Sequence, residues 1–246
     1  MKTVAIIQAR MGSERLPGKA MVDIEGYPML ARVVERTRRA RLVDDVVVAT
    51  TAHPRDEVIC SWADLYAVPC VKGPEEDVLR RYMAAAEYYH ADVIVRITAD
   101  CPLIDPEIID RVVGSMRRTG YRAEFASNAL LPLTFPRGVD VEVFTTQSFR
   151  AADRLCNKPY EREHVTPYYH DRGADGCSII RIPARPEERR PELRWCVDEQ
   201  ADLDLVWGIY ARGWDQLSTA DLIEALDRDP SLRDTNLDVK QKERIA

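Results

Sequence analysis

The chain has 246 residues, of which 46% are hydrophobic and 31% are charged, and its formal net charge is −6. Such a chain can bury a large core without disulfides, and its acidic balance does not indicate a nucleic-acid partner. No apolar run approaches the roughly 20 residues of a membrane helix. Gln8 and Arg10 interrupt the apolar start, so it does not have the hydrophobic region of a signal peptide. The six cysteines form no C-x-x-C pair, which argues against a zinc or thioredoxin-type site. We therefore expect a cytoplasmic protein that binds neither nucleic acid nor membranes.

The first half of the chain alternates strand and helix patterns. Continuous apolar runs at 3–8, 45–51 and 92–100 are typical of strands covered on both faces. One helical pattern begins at Pro28, and three others cover 54–67, 76–90 and 105–118. In the 54–67 helix the side chains predicted to face inward are Val58, Ile59, Trp62 and Leu65. This alternation predicts an α/β fold with a mostly parallel central sheet flanked by helices.

The second half has a looser pattern. Residues 137–144 alternate strictly, with Asp140 and Glu142 on the polar face, and 193–198 ("LRWCVD") predict a late strand before a helix. Trp207 lies in an apolar pattern and is expected in the core. We expect one domain over 1–228 with a β insertion around 122–146, followed by a polar tail at 229–246.

The loop after the first strand concentrates glycine and positive charge. Its small residues are Gly12, Ser13 and Gly18, and its cations are Arg10, Arg15 and Lys19. Ligands of an open parallel sheet bind beyond the carboxyl ends of its strands, where this loop lies. Glycines let backbone N–H groups approach a ligand closely, so the loop suits a nucleoside triphosphate with its magnesium. The alternative is a solvated basic turn.

Two known phosphate loops do not fit this sequence. Five residues separate Gly12 from Gly18, and Ala20 follows Lys19, so the Walker A spacing and its hydroxyl are both missing. The G-x-G-x-x-G pattern of dinucleotide sites is absent as well. The loop is therefore neither a P-loop nor a Rossmann loop.

Two aspartates end apolar runs and could face this loop. Asp100 follows "VIVRITA", and Asp198 ends "LRWCVD". If both runs are strands parallel to the first, both carboxylates point towards the loop. Magnesium takes a few carboxylates together with phosphate oxygens and water, so the pair predicts a metal site. The alternative for each aspartate is a helix N-cap.

Several segments together resemble one family. In chain order they are "IIQARMGSERLPGK", "RITADCPLID", "SNALLPLTFPRGVDVEVF", "EREHVTPY" and "WCVDEQADL", spread over about residues 3–205. They resemble the cytidylyltransferase-like family of spore-coat polysaccharide biosynthesis proteins, which is related to the enzymes that activate acidic sugars as CMP conjugates. The resemblance implies a single GT-A-like nucleotidyltransferase domain that binds CTP and magnesium, as a homodimer.

The resemblance also implies roles for individual residues. It makes Arg10, Lys19 and Asp100 catalytic, and Asp100 and Asp198 the metal ligands. The nucleotide-binding set that it implies is Ala9, Arg10, Gly12, Ser13, Arg15, Lys19, Asp77, Arg80 and Thr98.

The acceptor side is less defined. Asp140, Glu142 and His164 are candidates to contact the acceptor, although the first two could be solvated strand residues and the histidine structural. The expected function is magnesium-dependent transfer of CMP from CTP to an acidic sugar or related acid, with release of pyrophosphate. The alternatives are a nucleotide-sugar glycosyltransferase, which the missing Asp-x-Asp at Asp100 disfavours, and a non-catalytic nucleotide-binding module.

Overall fold

The computed structural model describes residues 1–172 and 177–241. Its strands are β1 (Thr3–Gln8), β2 (Asp23–Ile24), β3 (Tyr27–Pro28), β4 (Asp45–Thr51), β5 (Cys70–Gly73), β6 (Val93–Thr98), β7 (Phe125–Ser127), β8 (Glu142–Thr145) and β9 (Ile179–Arg181). Within the described residues, β2 and β3 form a small ribbon and the other seven strands form the central sheet, in the order β5-β4-β1-β6-β8-β7-β9. Only β8 runs antiparallel to its neighbours in that sheet, so the predicted mostly parallel α/β fold is confirmed.

Helices cover both faces of the sheet. They are α1 (Met29–Arg38), α2 (Glu57–Leu65), α3 (Val78–Tyr88), α4 (Pro106–Arg118), α5 (Thr146–Leu155), α6 (Pro159–His164), α7 (Pro167–Arg172), α8 (Gln200–Ala211), α9 (Thr219–Arg228) and α10 (Pro230–Arg233). One core contains buried residues of α1, α2, α4, α8 and α9, and the other those of α3, α5 and α7. No described helix is long and apolar enough to cross a membrane.

Strand β1 lies at the centre of the parallel region. It pairs with β4 on one side and β6 on the other, and all of Val4–Ile7 is fully buried. Its side chains alternate between the two cores, because successive residues of a strand point to opposite faces. The polar residues that follow β1 and β6 therefore emerge side by side at one edge of the sheet.

The segment 122–146 extends the central sheet. It supplies β7 and β8, and β8 is shorter than the predicted strand 137–144. Just before Glu142, the side chain of Asn128 forms hydrogen bonds with backbone groups that a neighbouring strand would otherwise have bonded. Its Nδ2 donates to the Val139 carbonyl at 2.9 Å, and its Oδ1 accepts from the Val141 N–H at 2.7 Å. The ladder therefore begins only at Glu142.

The predicted strand 193–198 is wrong. The segment forms one isolated parallel bridge, between Arg194 and Arg137. The Trp195 N–H donates to the Arg137 carbonyl at 2.7 Å, and the Val197 N–H donates to the Asp100 carbonyl at 2.8 Å. These bonds still bring Asp198 to the end of β6, although no strand carries it there.

Several predicted core positions and the tail also differ from the structure. Val58, Leu65 and Trp207 are 44%, 77% and 47% exposed, so their predicted burial is wrong. Helix α2 packs near the sheet edge, where only a narrow stripe of the helix is covered.

In the predicted tail, Leu232 packs against Gly208 of α8, and the buried Asn236 side chain donates to the Arg194 carbonyl at 2.9 Å. The start of that segment is therefore packed on the domain.

Gly138 is the position where the 193–198 segment depends on a missing side chain. Its φ is +102°, and a Cβ there would lie 2.5 Å from the Cys196 nitrogen and 2.6 Å from the Trp195 carbonyl carbon. We expect Gly138→Ala to lower the free energy of unfolding by about 3 kcal/mol. Gly120→Ala is the control, since its φ is +61° with nothing within 4 Å. Its expected cost is about 1 kcal/mol in the same urea titration. Equal costs would contradict the close approach.

Candidate active site

The loop after β1 is anchored at both ends. The Met11 N–H donates to the Asp56 carboxylate at 2.7 Å, and the Gly18 N–H donates to the Met11 carbonyl at 3.2 Å. Gly18 has a φ of +73°, which glycine adopts without strain, and a 3₁₀ turn begins at Lys19. This closure turns the Lys19 side chain back towards the end of the sheet.

The ammonium of Lys19 lies between the two predicted metal ligands. Its Nζ donates to Asp100 Oδ2 at 2.9 Å, to Asp198 Oδ1 at 2.7 Å and to the Val197 carbonyl at 2.7 Å. A lysine has three N–H donors, so all of them are used. The Lys19 side chain is only 14% exposed, which shields these charges from solvent.

The three groups hold one another in their charged forms. Burial works against the charge on Lys19, but Asp100 and Asp198 outweigh it and raise the pKa of Lys19 above its ordinary value. Burial likewise opposes the charge on both carboxylates. Lys19 acts together with Thr98 at Asp100 and with Arg15 and Arg194 at Asp198 to outweigh it, lowering the pKa of Asp100 and bringing the pKa of Asp198 to about 2. At neutral pH the cluster is one ammonium between two carboxylates.

A second set of contacts fixes Asp198. Arg15 and Arg194 lie 2.8 and 2.5 Å from its Oδ2. Arg194 is held in turn by the fully buried Asp202, at 2.9 Å. Asp202 also accepts the backbone N–H groups of Asp198 and Glu199 at the start of α8. Asp202 thus bonds the N–H groups at this helix start, and within residues 1–172 and 177–241 the Asp198 carboxylate bonds to three cations, Lys19, Arg15 and Arg194.

Asp100 has a smaller supporting set. Thr98 Oγ1 donates to Asp100 Oδ1 at 2.5 Å, and Lys19 Nζ donates to Asp100 Oδ2. The backbone carbonyl of Asp100 accepts from Val197, so the loop after β6 and the segment before Asp198 support each other.

A cavity of about 350 Å³ lies in front of this cluster. Of the residues proposed from the sequence, those that line it are Ala9, Arg10, Gly12, Ser13, Lys19, Thr98, Asp100, His164 and Asp198. Those that do not line it are Arg15, Asp77, Arg80, Asp140 and Glu142. Thus most of the loop residues face one space together with both aspartates.

Asp77 and Arg80 have structural partners instead. Asp77 caps α3 by accepting the Arg80 N–H at 2.8 Å, and it binds Arg162 of α6 at 2.7 and 2.9 Å. Arg80 lies 3.2 Å from Asp153 of α5. Asp77 therefore holds α6 against α3, and the end of α6 lines the cavity through Glu163 and His164.

Glu142 is not a solvated strand residue, and it does not line the cavity. It is buried and forms an ion pair with Arg96, its partner in the β6–β8 register. Arg96, in contrast, lines the cavity.

The cavity residues that sequence reasoning missed include Gln8, Arg81 and Arg96. Each carries a buried side-chain atom with no hydrogen-bond partner among the described residues: Gln8 Oε1, Arg81 Nε and Arg96 Nε. Most buried polar atoms in proteins are satisfied, so three such atoms around one cavity indicate a polar ligand. For Gln8 and Arg96 the available signal was a polar residue inside the apolar runs of β1 and β6, whereas Arg81 lies on α3 beside the predicted Arg80.

The donor chemistry fits a metal shared with a substrate. No group of three or more His, Cys, Asp or Glu side chains that could hold an ion occurs among the described residues. Asp100 and Asp198 are nevertheless charged and close enough to bind one ammonium. Magnesium needs only a few carboxylates when phosphate oxygens and water complete its shell.

An open α/β sheet with a cationic loop and two aspartates at its carboxyl edge is the arrangement of a nucleotidyltransferase. A family model described as cytidylyltransferase matches residues 4–226, and the chain belongs to this family of CTP-dependent nucleotidyltransferases. A cytidylyltransferase structure from Leptospira borgpetersenii superposes with a TM-score of 0.89 at 33% identity, covering 99% of this chain and 100% of that one.

Two further proteins are similar to this chain. The spore coat polysaccharide biosynthesis protein SpsF of Bacillus subtilis is 29% identical over 233 residues, 92% of this chain and 94% of SpsF. The 3-deoxy-manno-octulosonate cytidylyltransferase of Pelobacter propionicus is 40% identical over 115 residues, 46% of this chain and 44% of that protein.

Removal of the Lys19 charge should reverse the way in which the stability of the fold changes as the pH falls. In the wild type the depressed pKa of Asp198, about 2, contributes about 2 kcal/mol that is complete above pH 4 and lost as the pH falls towards 2. In Lys19→Met the two carboxylates repel each other, so their pKa values rise. The variant should therefore gain stability relative to wild type as the pH falls from 7 to 5.

Urea unfolding at pH 7, 6 and 5 measures this difference. The matched control is Lys72→Met, which removes an exposed lysine that pairs with Glu57. Its difference from wild type should stay near zero and independent of pH. A Lys19→Met difference that is also flat over this range would contradict the charge cluster.

Proposed function

We propose that the protein transfers CMP from CTP to an acidic sugar or a related acid, in a magnesium-dependent reaction that releases pyrophosphate. The observation that carries this proposal is the Lys19 ammonium between Asp100 and Asp198 at the mouth of the cavity. Membership of the cytidylyltransferase family favours CTP as the nucleotide. The relatives named above favour an acid acceptor in polysaccharide or glycoconjugate synthesis.

Positive charge on the loop side of the cavity supports triphosphate binding. Arg10 is exposed and forms no ion pair with the described residues. Burial and the nearby charge of Arg10 lower the pKa of Arg81, which shows that two like charges share this space. A polyanion relieves this repulsion, and arginines bind phosphate oxygens in a bidentate manner. We therefore assign Arg10 and Arg81 to the nucleotide, with the N–H groups near Gly12 and Ser13.

Lys19 must change partners for the reaction to proceed. In the structure its three donors are used by Asp100, Asp198 and Val197, so none remains for a phosphate. Magnesium held by the two aspartates would supply Lewis-acid stabilisation of the phosphate oxygens. We infer that Lys19 is the counter-ion of the aspartate pair until a metal takes its place. Asp100 and Asp198 would then hold the metal, and the Lys19 ammonium would be free to neutralise phosphate charge.

The acceptor oxygen then attacks the α-phosphorus in line. The new bond joins that oxygen to phosphorus, the hydroxyl proton of the acceptor passes to water, the bond to the bridging oxygen breaks, and pyrophosphate leaves with the electron pair. The chain contributes position and charge, which are the main requirements of phosphoryl-type transfer. His164 lines the cavity and stays our candidate for contact with the acceptor.

The competing functions have less support. Glycosyl transfer from a nucleotide sugar and non-catalytic nucleotide binding both lack a positive observation, whereas the family is one of CTP-dependent transferases. The homodimer and the cytoplasmic location stay predictions.

Replacement of Lys19 should remove activity and leave the fold intact. We expect Lys19→Ala to lower the turnover number at least about 100-fold, because one preorganised charge at a transition state is typically worth 10²–10³ in rate. Pyrophosphate release from CTP, measured with a panel of acid sugars, tests this. Lys72→Ala is the matched surface control and should keep full activity. Near-normal turnover in Lys19→Ala would contradict the assignment.

The exchange of cations has its own readout without any acceptor. If Lys19 occupies the place of the metal, Lys19→Met should bind Mn²⁺ about tenfold or more tightly than wild type in the absence of nucleotide. Mn²⁺ electron paramagnetic resonance measures free and bound ion directly. Asp100→Asn in the Lys19→Met background should abolish the gain. Equal Mn²⁺ affinity in wild type and Lys19→Met would show that the lysine does not compete with the ion.

A further inference from the structure

Arg96 is a cation in the middle of a central strand, at the floor of the cavity. Its side chain is 14% exposed, and its guanidinium carbon lies 5.9 Å from the centre of the Tyr82 ring. It precedes Thr98, the last residue of β6, and Asp100, which follows the strand, and it lines the same cavity. Burial of a charged group inside a strand lowers the stability of the fold unless the group is paired and hydrogen-bonded.

Glu142 supplies the partner. The two residues lie opposite each other in the β6–β8 register, and Nη1 of Arg96 donates to the Glu142 carboxylate. The Glu142 side chain is 5% exposed and does not line the cavity. It therefore orients the guanidinium from behind and leaves the cavity side to Arg96.

The guanidinium retains a donor for a ligand. Nε of Arg96 is buried and has no hydrogen-bond partner among the described residues. A buried ion pair is weak evidence for stability, and an unsatisfied buried N–H lowers stability further. Both observations are explained if a ligand with oxygen acceptors completes the site.

Arg96 and Arg81 are held from different parts of the sheet. Arg81 is tied to the β5 side, where its Nη1 donates to the Pro74 carbonyl at 3.0 Å. Arg96 is tied to Glu142 of β8, which lies beyond β6 in the sheet order. The two buried arginines therefore have separate supports, although both line the same cavity.

We propose that Arg96 binds the carboxylate of the acceptor, and that Glu142 is the positioning residue that holds it. This proposal rests on the proposed function, since it names the group that recognises the second substrate. The planar fork of arginine matches a carboxylate, and the other cations of the cavity belong to the triphosphate. The ligand class is thus a small carboxylic acid, such as an acid sugar.

The test compares acids with their neutral esters. The probes are 3-deoxy-manno-octulosonate and N-acetylneuraminate, each with its methyl ester, titrated calorimetrically into protein saturated with Mg²⁺ and α,β-methylene-CTP. The test variant is Arg96→Gln combined with Glu142→Gln, which removes both charges and leaves no lone buried ion. Affinity for the CTP analogue is measured separately for each protein.

A second buried pair in the same chain provides the control. Arg111 binds Glu188 at 2.9 and 3.0 Å, its guanidinium lies over the Phe135 ring, and its Nε has no hydrogen-bond partner in the described part of the chain either. It does not line the cavity. The matched control is Arg111→Gln combined with Glu188→Gln.

We expect wild type and the control to bind at least one acid, and to prefer it over its ester. The Arg96/Glu142 variant should bind that acid about 10- to 100-fold more weakly, lose the preference over the ester, and bind the CTP analogue within about twofold of wild type. A merely structural role would not change the ratio of acid to ester.

Four results would overturn the proposal. Retained acid preference in the Arg96/Glu142 variant shows that another group reads the carboxylate. Loss of CTP-analogue affinity with the acid preference intact assigns Arg96 to the nucleotide. CTP-analogue binding by wild type without binding of either acid refutes the acid-sugar class at this site. No binding of the CTP analogue by wild type contradicts the proposed function itself.

Discussion

The contact of one ammonium with two carboxylates organises the active-site end of this protein. Lys19, Asp100 and Asp198 come from three distant parts of the chain, and each is buried enough that its charge needs the others. Two carboxylates so close together repel each other without a cation between them. Lys19 provides that cation, so both carboxylates stay charged at neutral pH.

The fold delivers these groups by two different routes. Asp100 and the cationic loop follow adjacent parallel strands, β6 and β1, so their meeting is a direct consequence of the sheet order. Asp198 arrives on an irregular segment that is bonded to the Asp100 carbonyl and to Arg137. That segment fits only because Gly138 lets two backbones approach closely. The buried Asp202 and Arg194 then fix its end, which makes a non-repetitive segment as well positioned as a strand.

The sequence was a good guide where structure is local. Apolar runs predicted the parallel strands, and the glycines and cations after β1 predicted the loop that lines the cavity. Asp198 was placed correctly for a wrong reason, because a buried run such as "LRWCVD" looks like a strand whether or not it has a neighbouring strand to pair with. The Asn128 contacts that delay β8 and the Arg96–Glu142 pair join residues at least 11 positions apart, and no local pattern encodes them. Arg96 was visible as a charge in an apolar run, but its use depends on a cavity that only the fold creates.

Several cations line the same cavity. The loop cations and Arg81 suit a triphosphate, while Arg96 has the buried Glu142 carboxylate behind it and is our candidate for the acceptor. We propose above all that Lys19 would yield the aspartate pair to a metal when the nucleotide binds. A crystal structure with Mg²⁺ and α,β-methylene-CTP tests this most directly. We expect Asp100 and Asp198 on the metal and the Lys19 ammonium on a phosphate oxygen. A structure with bound nucleotide in which Lys19 still bridges the two aspartates would contradict it.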